Sequence, residues 1–374
     1  MKILYIVNSS AFFCSHFLHL AEEMRNRGEE VCVVSGDEGS KSKIEECGIT
    51  FINIKLTRKG KNIYNESMAL KRLFDIISQW EPELVHMFTI KPVIYGTLIN
   101  RFSSKFKNTL FVASITGLGS LSLSTKFIDR FLWILVKMIY RKVLILPNVK
   151  VIFENTDDMK QFVDAELVCS EQVSLVNGAG VSTEKFTPSG DKYSKFTVVL
   201  VARLIVDKGI REYISAAKIL RQRNSEVELL LVGDVDPSNI SSMTQSEIDM
   251  AVNNGYIKHL GFREDVEKIY QRSHVACLPS YREGLPKSLI EAAACGLPII
   301  TTNVPGCRQM VDSGRNGILV PSMDAFSLAN AIETLSLSPS LIKNMGDESR
   351  QLALKIFDYK PVINQFLNVY SVKC

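Results

Sequence analysis

A chain of 374 residues is too long for one compact core and comfortable for two domains. Its hydrophobic fraction of 46% and charged fraction of 22% are those of an ordinary globular protein. The net charge of +4, from 44 Lys and Arg against 40 Asp and Glu, is too mild to argue for a nucleic-acid partner.

The opening run from Met1 to Asn8 reads as a first buried strand, too short for a signal peptide and without a small-residue cleavage site. Short β-branched runs then alternate with amphipathic stretches. Strands are expected at 3–7, 30–35, 84–88, 110–114 and 149–153, with helices at 17–27, 68–79, 126–141 and 156–163. The nearest approach to a membrane span, 131–147, is interrupted by Lys137, Arg141 and Lys142. A break comes at Asn177-Gly178-Ala179-Gly180, followed by a polar run over 183–195. A second series follows, with strands at 196–201, 228–232, 256–260, 276–278 and 298–301. Helices are expected at 208–221, 265–272, 286–295, 325–335 and 341–357. This alternation predicts an α/β chain of two Rossmann-like domains with parallel sheets, divided near residue 180, with the cleft between them as the default ligand site. The eight cysteines, Cys14, Cys32, Cys47, Cys169, Cys277, Cys295, Cys307 and Cys374, form no Cys-x-x-Cys pair. That spacing argues against zinc and against a disulfide framework, and fits a reducing cytoplasm.

The most informative segment runs from Ser280 to Ala292. An apolar strand ends, a loop carries Glu283, and Gly284 and Pro286 suit a tight turn into a helix that begins near Leu285. The backbone N–H groups at that helix start make an anion site fit for a diphosphate. Glu291 lies two turns further in, among small apolar residues, where a buried carboxylate calls for a partner such as a ligand hydroxyl pair. The plainer alternative is a helix-start charge and a solvated surface Glu. Eight residues of helix span roughly 12 Å, wider than the carboxyl pair of a glycosidase. Arg203 and Lys208 flank a second strand-to-helix turn, and both suit phosphate unless they are ordinary surface cations.

In the first half, Lys126, Arg130, Lys137 and Arg141 are spaced for one helical face, next to abundant apolar residues. Such a helix either lies on an anionic membrane or is a solvated face over a core. The loop after the first strand, Asn8 to His16, lacks Gly-x-Gly-x-x-Gly, which disfavours a dehydrogenase. His16 either touches substrate or caps a helix start. Thr116-Gly117-Leu118-Gly119 is a Gly-rich turn that allows close ligand approach.

Taken together, these residues resemble glycosyltransferase family 4, retaining enzymes of GT-B fold. The strongest match is the pair Glu283 and Glu291 with seven residues between them, inside Ser280–Ile299. Arg203 with Lys208-Gly209, then Gly314, Asn316-Gly317 and Leu319-Val320, and Asn177-Gly178 with Phe186, extend it along the chain. The resemblance implies an N-terminal acceptor domain over 1–180, joined by a C-terminal helix within 360–374, and a nucleotide-sugar domain over 181–359. It implies that Glu283 holds the donor sugar and Glu291 the ribose. Arg203 and Lys208 would neutralise the leaving diphosphate, helped by N–H groups at Gly284 and Leu285, so that no metal or cofactor is required. A family His after a strand of the first domain has no counterpart in Ser114–Gly119, so His16, Thr116 and Gly117 stand as acceptor-side candidates. The sequence is most similar to bacterial members that add an N-acetylhexosamine from a UDP-sugar to a polyprenyl-diphosphate-linked saccharide for surface polysaccharides such as O-antigen. The expected partners are therefore the nucleotide sugar, that lipid-linked acceptor and the anionic inner face of the cytoplasmic membrane. A sugar-nucleotide epimerase and an inert binding module on the same fold are the alternatives.

Overall fold

The computed structural model describes residues 1–54, 56, 63–118, 127–237 and 239–371. The chain divides into two compact units, Met1–Ala179 with Val362–Cys374, and Gly180–Pro361.

The first unit is a seven-stranded parallel sheet. Its elements are β1 (Lys2–Ile6), α1 (Ser10–His16), α2 (Leu18–Asn26), β2 (Glu30–Ser35), α3 (Lys41–Glu46), β3 (Thr50–Asn53), α4 (Ile63–Trp80), β4 (Leu84–Phe88), α5 (Ile90–Phe102), β5 (Leu110–Ile115), α6 (Phe127–Val143), β6 (Val149–Phe153), α7 (Thr156–Asp164) and β7 (Val173–Leu175). The strand order is β3-β2-β1-β4-β5-β6-β7, with every pairing parallel. Helices cover both faces, so β1, β4 and β5 are apolar along nearly their whole length rather than alternating.

The second unit is a six-stranded parallel sheet. Its elements are β8 (Thr197–Val201), α8 (Ile210–Gln222), β9 (Glu228–Val232), α9 (Gln245–Asn253), β10 (Lys258–His259), α10 (Val266–Arg272), β11 (Val275–Leu278), α11 (Lys287–Ala294), β12 (Ile299–Thr302), β13 (Gly317–Val320), α12 (Ala325–Ser336) and α13 (Pro339–Leu352). The order is β10-β9-β8-β11-β12-β13. Its core runs from Val198 and Leu200 through Ile290 and Ile300 to Ile332. A π-helical turn, Ala353–Phe357, follows α13, and α14 (Tyr359–Tyr370) then carries the chain back to the first unit.

Three expected elements are redrawn. The helix expected over 208–221 begins after a 3-10 turn at Val206–Lys208, because Gly209 sits at φ 72° and interrupts the helical path. The strand expected over 256–260 shrinks to Lys258–His259 at the sheet edge. The helix expected over 341–357 stops at Leu352, where the π turn starts.

In the first unit α14 is anchored by a buried polar cluster. The His86 ring on β4 bonds Tyr370 Oη through Nδ1 and Ser114 Oγ through Nε2, both at 2.7 Å. Burial of His86 holds its pKa well below the usual imidazole value, so the ring is neutral. No described helix is long and apolar enough to cross a membrane.

Candidate active site

Parallel sheets present ligand-binding loops at the carboxyl ends of their strands. In the second unit the loop after β8 carries Arg203 and Lys208. It is pinned from two sides. Leu204 N–H donates to Asp234 O (2.9 Å), Met243 N–H to Leu204 O (2.9 Å) and Val206 N–H to Ser241 O (2.7 Å). From β11, Tyr281 N–H donates to Asp207 O (2.9 Å), and Tyr281 Oη donates to Glu212 Oε1 (2.8 Å). Gly209 makes this possible, since a Cβ there would run into the Pro279 carbonyl.

The loop after β11 brings Glu283 to Lys208. Lys208 Nζ donates to Glu283 Oε1 at 2.5 Å, and Ser280 Oγ donates to the same oxygen at 2.6 Å. Both of these contacts fall on Oε1. Ser280 is fully buried and its carbonyl accepts from the Thr302 hydroxyl, so the residue that orients Glu283 is itself held. The Glu283 N–H donates to Pro305 O (3.1 Å), and Gly306, at φ 80°, packs against the Glu283 and Gly284 carbonyls where a Cβ has no room. Cys307 lies beside them, its thiol pushed up to about 12 by burial and by the neighbouring Glu283 charge.

Arg203 does not join this pair. Its Nη1 donates to Asp236 Oδ2 at 2.9 Å on the β9 loop, and its side chain is 53% exposed. Both cations expected to meet phosphate therefore meet carboxylates of the protein.

Glu291 sits on α11, which begins after Pro286 at the N-cap, with Gly284 and Leu285 in the lead-in loop. Its side chain is 14% exposed and ion-pairs with Lys287 one turn earlier at 3.1 Å. The expected need for a ligand partner is thus partly met by Lys287. Burial still raises the Glu291 carboxyl above its ordinary pKa, with Lys287 opposing. Among the described residues, no three His, Cys, Asp or Glu side chains gather as a metal site.

The acceptor-side candidates lie in the first unit. His16 ends α1 rather than capping a helix start: Nδ1 contacts Ser15 Oγ (2.7 Å) and Phe12 O (3.2 Å), and the ring stacks on Phe12 at 4.3 Å. Thr116 and Gly117, the latter at φ 116°, follow β5, whereas Gly119 and Lys126 lie outside the described residues. On α6, Phe131, Leu132, Ile134 and Met138 are exposed, but Trp133 is in the core. At about 100° per residue, Arg130, Lys137 and Arg141 fall within about 40° of one another, next to the stripe of Phe131, Ile134 and Met138. Arg141 also donates to Ala165 O at 2.8 Å.

Sequence reasoning did not single out Asp236, Ser280 as the partner of Glu283, or Gly306. The only signal for the last is a Pro-Gly step after a strand, Pro305-Gly306.

Known proteins share this arrangement of sequence. Residues 195–337 match the family described as glycosyl transferases group 1, and residues 2–148 match glycosyl transferase 4-like. The chain is 22% identical over 387 residues to the N,N'-diacetylbacillosaminyl-diphospho-undecaprenol alpha-1,3-N-acetylgalactosaminyltransferase of Campylobacter jejuni, covering 99% of this chain and 98% of that one. It is 25% identical over 325 residues to the UDP-Gal:alpha-D-GlcNAc-diphosphoundecaprenol alpha-1,3-galactosyltransferase of Escherichia coli, covering 83% and 80%. Its fold is similar to that of HepE from Anabaena in complex with UDP-glucose, with a TM-score of 0.79 at 19% identity, covering 99% of both chains. With one family match in each half and the Glu283–Lys208 constellation inside the second, the chain belongs to the group 1 and 4-like glycosyl transferases and is a hexosyltransferase of GT-B fold.

Proposed function

We propose that the protein transfers an N-acetylhexosamine from a UDP-sugar to a polyprenyl-diphosphate-linked saccharide, with retention, in the synthesis of a bacterial surface polysaccharide or glycan. The names of the Campylobacter and Escherichia relatives support the lipid-linked acceptor, and the HepE complex supports UDP as the nucleotide. The observation that carries the reading is the Glu283 carboxylate, with Lys208 and Ser280 both on Oε1.

In this reading the second unit is the donor domain and the first the acceptor domain. Glu283 Oε2 takes a donor-sugar hydroxyl and fixes the reacting carbon. Glu291 takes the ribose hydroxyls. An ammonium has three donors, so Lys208 keeps Glu283 while reaching the diphosphate. Arg203 adds a planar fork of donors for phosphate, joined by N–H groups at Gly284 and Leu285. The bond from the anomeric carbon to the diphosphate breaks, and its electron pair leaves with the phosphate oxygen. The acceptor hydroxyl attacks from the face just vacated, and its proton passes to that phosphate oxygen. Fixed cations aimed at the developing phosphate charge replace a metal.

The acceptor carries a lipid, and α6 offers a matching surface. Exposed Phe131, Ile134 and Met138 enter the headgroup boundary, while Arg130, Lys137 and Arg141 meet anionic lipid at the inner face of the cytoplasmic membrane.

The test is UDP release from a panel of UDP-sugars, with and without a polyprenyl-diphosphate-linked N-acetylhexosaminide, in EDTA. Release that requires the lipid-linked acceptor and one preferred donor is expected. Release that proceeds equally without acceptor points to epimerase or hydrolytic chemistry and overturns the proposal.

A further inference from the structure

The first unit carries a second set of polar atoms. The sheet order β3-β2-β1-β4-β5-β6-β7 reverses at β1, with β2 on one side and β4 on the other. Open α/β sheets bind ligands outside the carboxyl ends of their strands at such a point. β1 and β4 run parallel with Ile6 opposite Met87. Asn8 and Thr89 each lie two residues beyond that pair in sequence, at the carboxyl ends of these neighbouring strands.

These two residues share an anomaly. Asn8 Oδ1 and Thr89 Oγ1 are both enclosed by protein, and neither has a hydrogen-bond partner among the described residues. Enclosed polar atoms are nearly always paired, because water no longer serves them. Two orphans on neighbouring strand ends imply a partner that arrives from outside. Thr89 adds a second oddity. Its backbone sits at φ 72° and ψ 164°, a region that glycine enters freely and a β-branched residue rarely does. Thr89 is also the N-cap of α5, where a threonine hydroxyl normally caps a helix N–H, yet it makes no capping bond. Local folding thus explains neither the conformation nor the choice of Thr over Gly.

The surroundings indicate the kind of ligand. In the next turn Lys91 Nζ ion-pairs with Glu66 Oε2 at 2.6 Å, and the Tyr95 hydroxyl also donates to Glu66. Lys91 is thus held within the protein, and the two atoms without a partner among the described residues, Asn8 Oδ1 and Thr89 Oγ1, are both neutral. Asn8 Oδ1 can only accept, and Thr89 Oγ1 can accept or donate. Adjacent hydroxyls of a sugar ring satisfy both.

We propose that Asn8 and Thr89 form a saccharide subsite in the first unit that holds hydroxyls of the acceptor sugar. The identity of that sugar as an acceptor rests on the proposed function, but the subsite itself does not. The strained, uncapped Thr89 keeps its hydroxyl turned to the ligand at the expense of the fold.

The test compares Asn8→Ala, Thr89→Gly and Thr89→Ser with the full-length wild-type chain. With a polyprenyl-diphosphate-linked N-acetylhexosaminide as acceptor, the first two raise acceptor KM at least tenfold and leave donor KM within twofold. Thr89→Ser stays within threefold of wild type on both. Thr89→Gly melts no lower than wild type, which separates a ligand role from a structural one. Saturation-transfer NMR with methyl glycosides of N-acetylhexosamines reads the subsite without turnover, and the signal falls in Asn8→Ala and Thr89→Gly. Acceptor KM within twofold of wild type in both variants, or equal NMR signals in all chains, overturns the subsite. A wild-type chain that gives the NMR signal but glycosylates no lipid-linked acceptor overturns the proposed function and leaves the subsite standing.

Discussion

The residues singled out at the carboxyl edges of the two sheets treat their polar groups in opposite ways. In the second unit, charged groups are matched within the protein: Lys208 and Ser280 on Glu283, Arg203 on Asp236, Lys287 on Glu291. In the first, Asn8 Oδ1 and Thr89 Oγ1 are left unmatched among the described residues. The difference follows from the cost of burial. A half-buried charge without a partner destabilises the fold heavily, so ion-handling residues must be paired before the ligand comes. A lone neutral amide or hydroxyl oxygen costs far less, and a fold tolerates it where a ligand repays it. Sites for charged ligands should therefore exchange partners, and sites for neutral ones should fill gaps.

The sharpest break of this comparison is Glu283→Ala. It is expected to lower kcat by at least about 100-fold, on the scale of losing one preorganised group in an active site. Its melting temperature should also fall, because the part-buried Lys208 and the buried Ser280 hydroxyl lose their shared partner. Near-normal kcat would remove the paired edge from the chemistry. Next in size is Gly209→Ala, where a positive φ and the Pro279 carbonyl both oppose a Cβ. A loss of about 2 kcal/mol, seen as roughly 4–8 °C in Tm, is expected, whereas Thr89→Gly should move Tm the other way. Thermal unfolding of both variants reads this contrast directly.

The pH dependence separates the edges again. Glu291 is raised by burial, so between the ordinary carboxyl pKa and its higher folded value the native state binds more protons than the unfolded one. Its contribution to stability is full at low pH and is lost as pH climbs through that window. Glu291→Gln should flatten this decline while raising donor KM. His86 is lowered by burial, so its contribution is present above the unfolded imidazole pKa and is lost as pH falls from about 6.5. Denaturant titrations of wild type, Glu291→Gln and His86→Asn across pH 4–8 should show the two slopes with opposite sign. The smallest effect belongs to α6. Lys137→Glu with Arg141→Glu should weaken binding to anionic liposomes several-fold at low salt and less at high salt. Binding that does not change would return that face of α6 to an ordinary solvated one.

Most strands of both sheets were legible because parallel strands buried on both faces are continuous apolar runs, as in Lys2–Ile6 and Glu228–Val232. Short edge strands were not: Val173–Leu175 has three residues, too few to show a pattern. Helix α5 escaped because it is buried on several sides, with Pro92, Gly96, Thr97 and Asn100 among its enclosed residues, and so shows no amphipathic stripe. At the site, Glu283 and Glu291 stood out from their immediate neighbours in sequence. The pairings did not, since Lys208 meets Glu283 across 75 residues and Arg203 meets Asp236 across 33. The left-handed backbone of Thr89 is invisible to any residue pattern, because a threonine there breaks the pattern that a glycine would have announced.

The account's central claim is that donor and acceptor are read by different edges, and UDP binding tests it most directly. Calorimetric titration of UDP into wild type, Lys208→Ala and Thr89→Gly is expected to show a Kd at least tenfold weaker for Lys208→Ala and unchanged for Thr89→Gly. Equal affinity in Lys208→Ala and wild type, or a loss of UDP binding in Thr89→Gly, would contradict it.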